Sequence, residues 1–245
     1  MALTTREALH LPRYPRDPAG WHPPLASPGY GSTRLRAPLR PPVQVEQGLT
    51  EITGPLLSDR DLGPGENDLT RQHEGEALGQ RIVVSGRVLD GTGRPLPRTL
   101  VEIWQANAAG RYAHAIDTWP APLDPNFTGV GRALTDDAGR YRFTTIRPGA
   151  YPWRNHHNAW RPAHIHFSLL GRAFTQRLVT QMYFPDDPLF GQDPIFNSVP
   201  DERARQRLVS AYDHATTQPE WALSYTFDIV LRGPAATPFE SGDHA

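Results

Sequence analysis

Cysteine is absent from this chain of 245 residues, which excludes disulfides, thiolate zinc sites, iron–sulfur clusters and cysteine nucleophiles. Lysine is absent as well, all 25 cationic side chains being arginine. Schiff-base catalysis, pyridoxal phosphate attachment and a Walker-type phosphate loop are excluded with it. Neither charge sign dominates, since 25 cations stand against 26 carboxylates for a net charge of −1. Strong capture of nucleic acid or of an anionic membrane is therefore not expected. Long apolar runs are also missing: none approaches the roughly 18 residues of a membrane span, and Met1-Ala2-Leu3-Thr4-Thr5-Arg6-Glu7 has no basic stretch leading into an apolar one. The expected compartment is the cytoplasm. What remains for binding a metal is histidine, tyrosine and carboxylate.

Residues 1–80 hold 11 of the 26 prolines and show no sustained period of 3.6 or 2. Proline fixes φ, lacks an N–H and drives the preceding residue to extended geometry, so an extended arm wrapping a surface is expected here. Composition alone fits a disordered tail equally well, but Trp21, Leu25, Tyr30, Val43, Ile52 and Leu56 are apolar anchors suited to docking. From Arg81 the texture changes to short β-rich runs separated by turn residues, the pattern of an all-β sandwich over residues 81–245. Strands are predicted at 82–89, 99–105, 132–135, 140–146, 163–170, 174–184 and 221–231. Asp136-Asp137-Ala138-Gly139 reads as a hairpin-type connection. One short helix is predicted over 201–214, where Leu208, Ala211 and Tyr212 share a face.

His164 and His166 stand two apart inside a predicted strand, so both imidazoles point to one face. Such a pair is half a metal site, but taken alone it is a weak signal that more often means ordinary hydrogen-bonded strand histidines. No carboxylate lies in the strand. The preceding loop, 151–162, is dense in aromatics and arginine, and Tyr151 and Tyr112 both fall at strand ends. As isolated tyrosines they read first as wall or surface aromatics. His156 and His157 are rival ligands by composition, although adjacent loop residues rarely aim at one point.

Taken together, Val84-x-Gly86-x-Val88, Gly93, Leu96, Val101-Glu102-Ile103 and Gly110-x-Tyr112 resemble, spacing included, the signature of the intradiol ring-cleavage dioxygenases. Supporting runs are Trp104-Gln105-Ala106-Asn107, Tyr151-Pro152-Trp153-Arg154-Asn155 and Trp160-Arg161-Pro162-Ala163-His164-Ile165-His166-Phe167. The resemblance is dense over residues 81–233 and touches the arm at Trp21-His22-Pro23, Tyr30 and Thr53-Gly54-Pro55. It implies a non-haem ferric ion held by Tyr112, Tyr151, His164 and His166. Phenolate is a hard anionic donor that favours Fe(III), which suits that set. It further implies that Tyr151 leaves the metal when a catecholic diol chelates it, and that O₂ then opens the ring between the two hydroxyls.

By the same resemblance Arg161 stands beside the reacting ring and stabilises developing charge, and Gln181 is an outer partner of the site. Tyr30, Trp104 and Ile195 match substrate-pocket positions, though for Trp104 and Ile195 a core role would look the same. Other members of the family carry an N-terminal helical segment where this chain has its proline-rich arm, which places it in the branch acting on protocatechuate rather than on catechol or hydroxyquinol. That branch implies a homologous α subunit in an (αβ)n assembly, with part of the recognition of the substrate carboxylate supplied by the α chain. The closest rival reading is a catechol or hydroxyquinol 1,2-dioxygenase of the same family; a non-enzymatic sandwich, either a carrier or a subunit that only assembles with an active chain, is a rival from another class. The His156-His157 pair is unusual for the family.

Overall fold

Alternating β-branched and aromatic residues build eleven strands among the residues that the computed structural model describes, 17–24, 26–31, 62–171 and 177–239. One sheet is organised around β1 (Arg81–Leu89). It pairs antiparallel with β4 (Arg140–Ile146) on one edge and parallel with β10 (Leu223–Thr226) and β11 (Ile229–Val230) on the other, and β9 (Ala211–Tyr212) lies beyond β10. The second sheet is antiparallel, in the order β3 (Val130–Leu134), β2 (Leu100–Trp104), β7 (His164–Leu170), β8 (Arg177–Tyr183). Ile82, Val84, Val88, Tyr141 and Phe143 of the first sheet meet Val101, Ile103, Ile165, Phe167 and Leu169 of the second in one apolar cluster. Phe167 contacts Phe143 edge-on at 5.8 Å between ring centroids, which fixes how the layers interlock. This is the all-β sandwich read from the sequence.

Several local expectations change. The strand expected over 221–231 is broken between β10 and β11 at Phe227-Asp228, because the Phe227 carbonyl turns in against β1. Gly86 stands opposite, and a Cβ there would overlap that carbonyl; the buried Tyr141 hydroxyl donates to the same oxygen at 2.5 Å. Gly86 of the signature is thus a close-approach glycine. β3 and β4 flank a tight turn closed by Gly139 N–H to the Asp136 carbonyl at 2.9 Å, yet they do not pair as a hairpin. They belong to opposite sheets, and the turn is a corner of the sandwich.

The helix expected over 201–214 is confined to Glu202–Gln206, capped by Asp201 accepting from the Arg203 amide. Past it the backbone is taken up by strands: Tyr183 N–H donates to the Leu208 carbonyl, Ser210 N–H donates to the Tyr183 carbonyl, and Ala211–Tyr212 pairs with β10. We call this helix α2. A second short helix, α1 (Pro194–Asn197), precedes it, with Asp193 as N-cap and proline at its first position. A short hairpin of β5 (Tyr151–Trp153) and β6 (Ala159–Arg161) stands where the sequence reads as loop.

Of the arm, Leu25, Val43, Ile52 and Leu56 lie outside the described residues, as do residues 174–176 of the strand expected from Phe174. Where they are described, residues before Arg81 pack on the sandwich. Trp21 is buried and donates from Nε1 to the Ala236 carbonyl at 2.6 Å. His22 stacks on Phe239 at 4.3 Å. Leu69 is fully buried in the sandwich core. No helix among the described residues is long and apolar enough to cross a membrane.

Candidate active site

Period-two alternation divides β7 between two tasks. Ile165, Phe167 and Leu169 enter the core, so His164, His166 and Ser168 occupy the opposite face. The cross-strand partners extend that second face: Trp104 lies opposite His166 on β2, and Gln181 and Tyr183 lie opposite His166 and His164 on β8. The β5–β6 hairpin brings Tyr151 and Arg161 to this face, and every residue of β7 from His164 to Leu169 is buried.

Tyr112 arrives from the loop after β2. Asn107 shapes that loop, its Oδ1 accepting from the Ala109 and Arg111 amides at 2.9 and 3.0 Å, and Asp117 Oδ2 accepts from the Tyr112 amide at 2.8 Å. Gly110 sits at φ +77°, where a Cβ would overlap the Ala150 carbonyl oxygen; a Cβ on Gly149 would in turn overlap the Ala108 carbonyl. The two tyrosine-bearing loops therefore touch backbone to backbone.

Four donor atoms converge as a result. Tyr112 Oη lies 3.0 Å from His166 Nε2 and 3.4 Å from Tyr151 Oη, and Tyr151 Oη lies 3.2 Å from His164 Nε2. The two imidazole centroids are 4.9 Å apart. His164 Nδ1 lies 2.6 Å from the Pro162 carbonyl. A carbonyl only accepts, so Nδ1 carries the proton and the Nε2 lone pair faces the tyrosines. Burial, then the Arg161 charge and His166, hold the His164 pKa well below the ordinary histidine value, which keeps the ring neutral. Two phenols and two imidazoles, one of them locked in the metal-binding tautomer, are a donor set that fits a hard trivalent ion. Among the described residues no group of three or more His, Cys, Asp or Glu offers a rival metal site.

Beside the tetrad lies a buried polar network. Arg161 Nε faces both oxygens of Asp193 at 3.1 and 3.2 Å, Arg161 Nη2 donates to Gln181 Oε1 and to Tyr183 Oη, the latter at 3.1 Å, and Tyr183 Oη lies 3.0 Å from Asp193 Oδ2. Arg161 is 3% exposed and Asp193 0%, so this is an interior ion pair and not a surface one. Trp104 stacks on His166 at 4.7 Å with 6° between planes. Tyr30 donates to the Pro194 carbonyl at 3.2 Å and meets Trp153 edge-on at 4.8 Å, and Ile195 is the next residue along, buried in α1.

The structure thus gathers Tyr112, Tyr151, His164 and His166 at one point, sets Arg161 and Gln181 in one network, and seats Tyr30 and Ile195 together through Pro194. His156 turns toward the arm, edge-on to Tyr30 at 6.3 Å, and His157 is exposed. Sequence reasoning missed Asn107, Asp117, Tyr183 and Asp193, which shape the Tyr112 loop and the buried polar network. Tyr183 was open to discovery, because it lies two residues after Gln181 and so shares its face.

Residues 52–233 match the family described as Dioxygenase, and residues 14–48 match the family described as protocatechuate 3,4-dioxygenase beta subunit N terminal. The protocatechuate 3,4-dioxygenase beta chain of Burkholderia cepacia is 57% identical over 230 residues, covering 92% of this chain and 96% of that protein. The alpha chain of the Pseudomonas putida enzyme is 30% identical over 67% of this chain and 77% of its own length. Among solved structures, 3-chlorocatechol 1,2-dioxygenase from Rhodococcus opacus 1CP aligns with a TM-score of 0.52 and 24% identity over 75% of this chain and 72% of that one, a likeness of fold.

Proposed function

The chain belongs to the intradiol ring-cleavage dioxygenases, and we propose that it is the iron-holding β subunit of a protocatechuate 3,4-dioxygenase. In that role it opens protocatechuate with O₂ to 3-carboxy-cis,cis-muconate, both oxygen atoms entering the product. The observation that carries this reading is the convergence of the Tyr112 and Tyr151 hydroxyls with Nε2 of His164 and His166.

Those four residues would hold a non-haem ferric ion, which when bound supplies a Lewis-acid centre that draws electron density from a chelated catecholic diol. His164 is positioned by the Pro162 carbonyl to offer a lone pair without first losing a proton. Tyr151, on the short β5 edge, would be the exchangeable member of the four, its oxygen accepting a proton from the arriving diol. Arg161 presents a fixed guanidinium where negative charge develops on the ring oxygens. Gln181 holds that guanidinium from the side of β8. Trp104 walls the site behind His166, while Tyr30 and Ile195 line the substrate side.

A homologous α subunit would close the site around the substrate carboxylate, in keeping with the alpha-chain relative, and residues 1–80 would act as an arm on the 81–245 domain. The test is the visible absorption and iron content of the full-length chain, purified with its α partner, before and after anaerobic addition of protocatechuate or catechol. A coloured tyrosinate-to-Fe(III) band that shifts with protocatechuate is expected. A larger response to catechol moves the substrate assignment to catechol, and a protein that stays colourless and iron-free after reconstitution overturns the reading.

A further inference from the structure

Asp193 has no place in the chemistry described above, yet it is fully buried and touches three parts of the site. Both its oxygens face Arg161 Nε. Its Oδ2 lies 3.0 Å from the Tyr183 hydroxyl, which itself receives Arg161 Nη2 at 3.1 Å, so arginine, tyrosine and aspartate close a triangle. Its Oδ1 accepts from the Ile195 amide at 2.9 Å, capping α1, whose Pro194 carbonyl receives the Tyr30 hydroxyl.

A buried guanidinium is planar and directional, and its Nε contact fixes the plane in which both terminal nitrogens lie. The carboxylate that sets this plane is the same one that anchors the turn bearing Ile195. We propose that Asp193, assisted by Tyr183, is the positioning residue that aims the Arg161 guanidinium at the reacting ring and sets that charge and the α1 wall of the pocket as one unit. The inference rests on the role given to Arg161 under the proposed function. A structural ion pair alone would affect folding and leave turnover per folded, iron-loaded site unchanged.

The test compares Asp193→Asn and Tyr183→Phe with the parent, each as the full-length chain with its α partner. Iron content, the charge-transfer band, kcat and KM for protocatechuate are measured. Asparagine keeps an oxygen for the α1 cap but loses the charge facing Arg161. A misaimed group beside reacting atoms costs up to about 10²-fold. The expected result for Asp193→Asn is therefore a kcat lowered by about 10- to 100-fold with iron content and band position retained and KM within about twofold. Tyr183→Phe is expected to lower kcat by a smaller factor in the same pattern.

A second readout needs neither metal nor turnover: the Arg161 Nε proton, followed by nitrogen-edited NMR in the iron-free protein, should exchange with water at least about tenfold faster in Asp193→Asn. Unchanged kcat and unchanged Nε exchange in Asp193→Asn overturn the proposal. If that variant fails to fold, unchanged kcat and exchange in Tyr183→Phe overturn it instead. An iron-free parent, or an Arg161→Ala variant as active as the parent, refutes the underlying reading and not this one.

Discussion

Gly110 and Ala150 meet backbone to backbone: Gly110 adopts φ +77°, and a Cβ on it would overlap the Ala150 carbonyl oxygen. That contact sets the distance between the loops bearing Tyr112 and Tyr151. Gly110→Ala combines left-handed strain with an overlap against rigid backbone, which together cost about 2–4 kcal/mol. The loops should separate, so iron bound per chain should fall while far-UV circular dichroism of the folded fraction stays that of the parent. Full iron loading in this variant would show that the contact does not govern the site.

Tyr112→Phe and His164→Ala each remove one donor atom from the tetrad and leave the core face of β7 untouched. Losing an outer partner of a metal ligand typically weakens metal binding about 10–100-fold, so losing a ligand should weaken it at least as much. Iron titration of the purified variants checks this. Arg161→Ala should by contrast retain iron and lose turnover.

Tyr141 is buried and donates to the Phe227 carbonyl at the break between β10 and β11. Tyr141→Phe conserves the ring and removes the donor from a buried acceptor, a change that typically costs about 1–3 kcal/mol. Urea unfolding of the iron-free protein should show a lowered midpoint with an unchanged slope.

Acid stability should carry the signature of Asp201. The Arg203 guanidinium, reinforced by the Arg203 amide, lowers its pKa from an ordinary 3.8 to about 2. A depressed folded-state pKa means stabilisation that is complete above the unfolded value and is lost as pH falls toward the folded one. The stability difference between the parent and Asp201→Asn, which keeps the cap, should be constant above about pH 5 and shrink between about pH 4 and 2. A difference that does not vary over that window would contradict this account.

Much of this was open to reading in the sequence where a local period decides the outcome. The shared face of His164 and His166 follows from alternation, and the sandwich from short β-rich runs. Tyr112 and Tyr151 came only through resemblance, since 39 residues separate them and a topology must bring them together. Asp193 reads as the residue before a proline, and nothing local reveals that Arg161, 32 positions earlier, would face it. The break at Phe227-Asp228 escaped because both flanking runs are β-like; its cause is Gly86 on a different strand. Helix α2 stops early for a similar reason, the backbone around Leu208 and Ser210 being claimed by the end of β8.

The division of β7 also limits how this protein can change in length. A single inserted residue within His164–Leu170 would invert the facing of one side of the strand relative to the other, turning imidazoles or core side chains to the wrong layer. Two inserted residues would restore the facing but move one side of the strand about 7 Å along the sheet, out of register with β2 and β8. Variants with indels should therefore survive in the turns that join the strands and be lost from this strand, where fold and chemistry fail together.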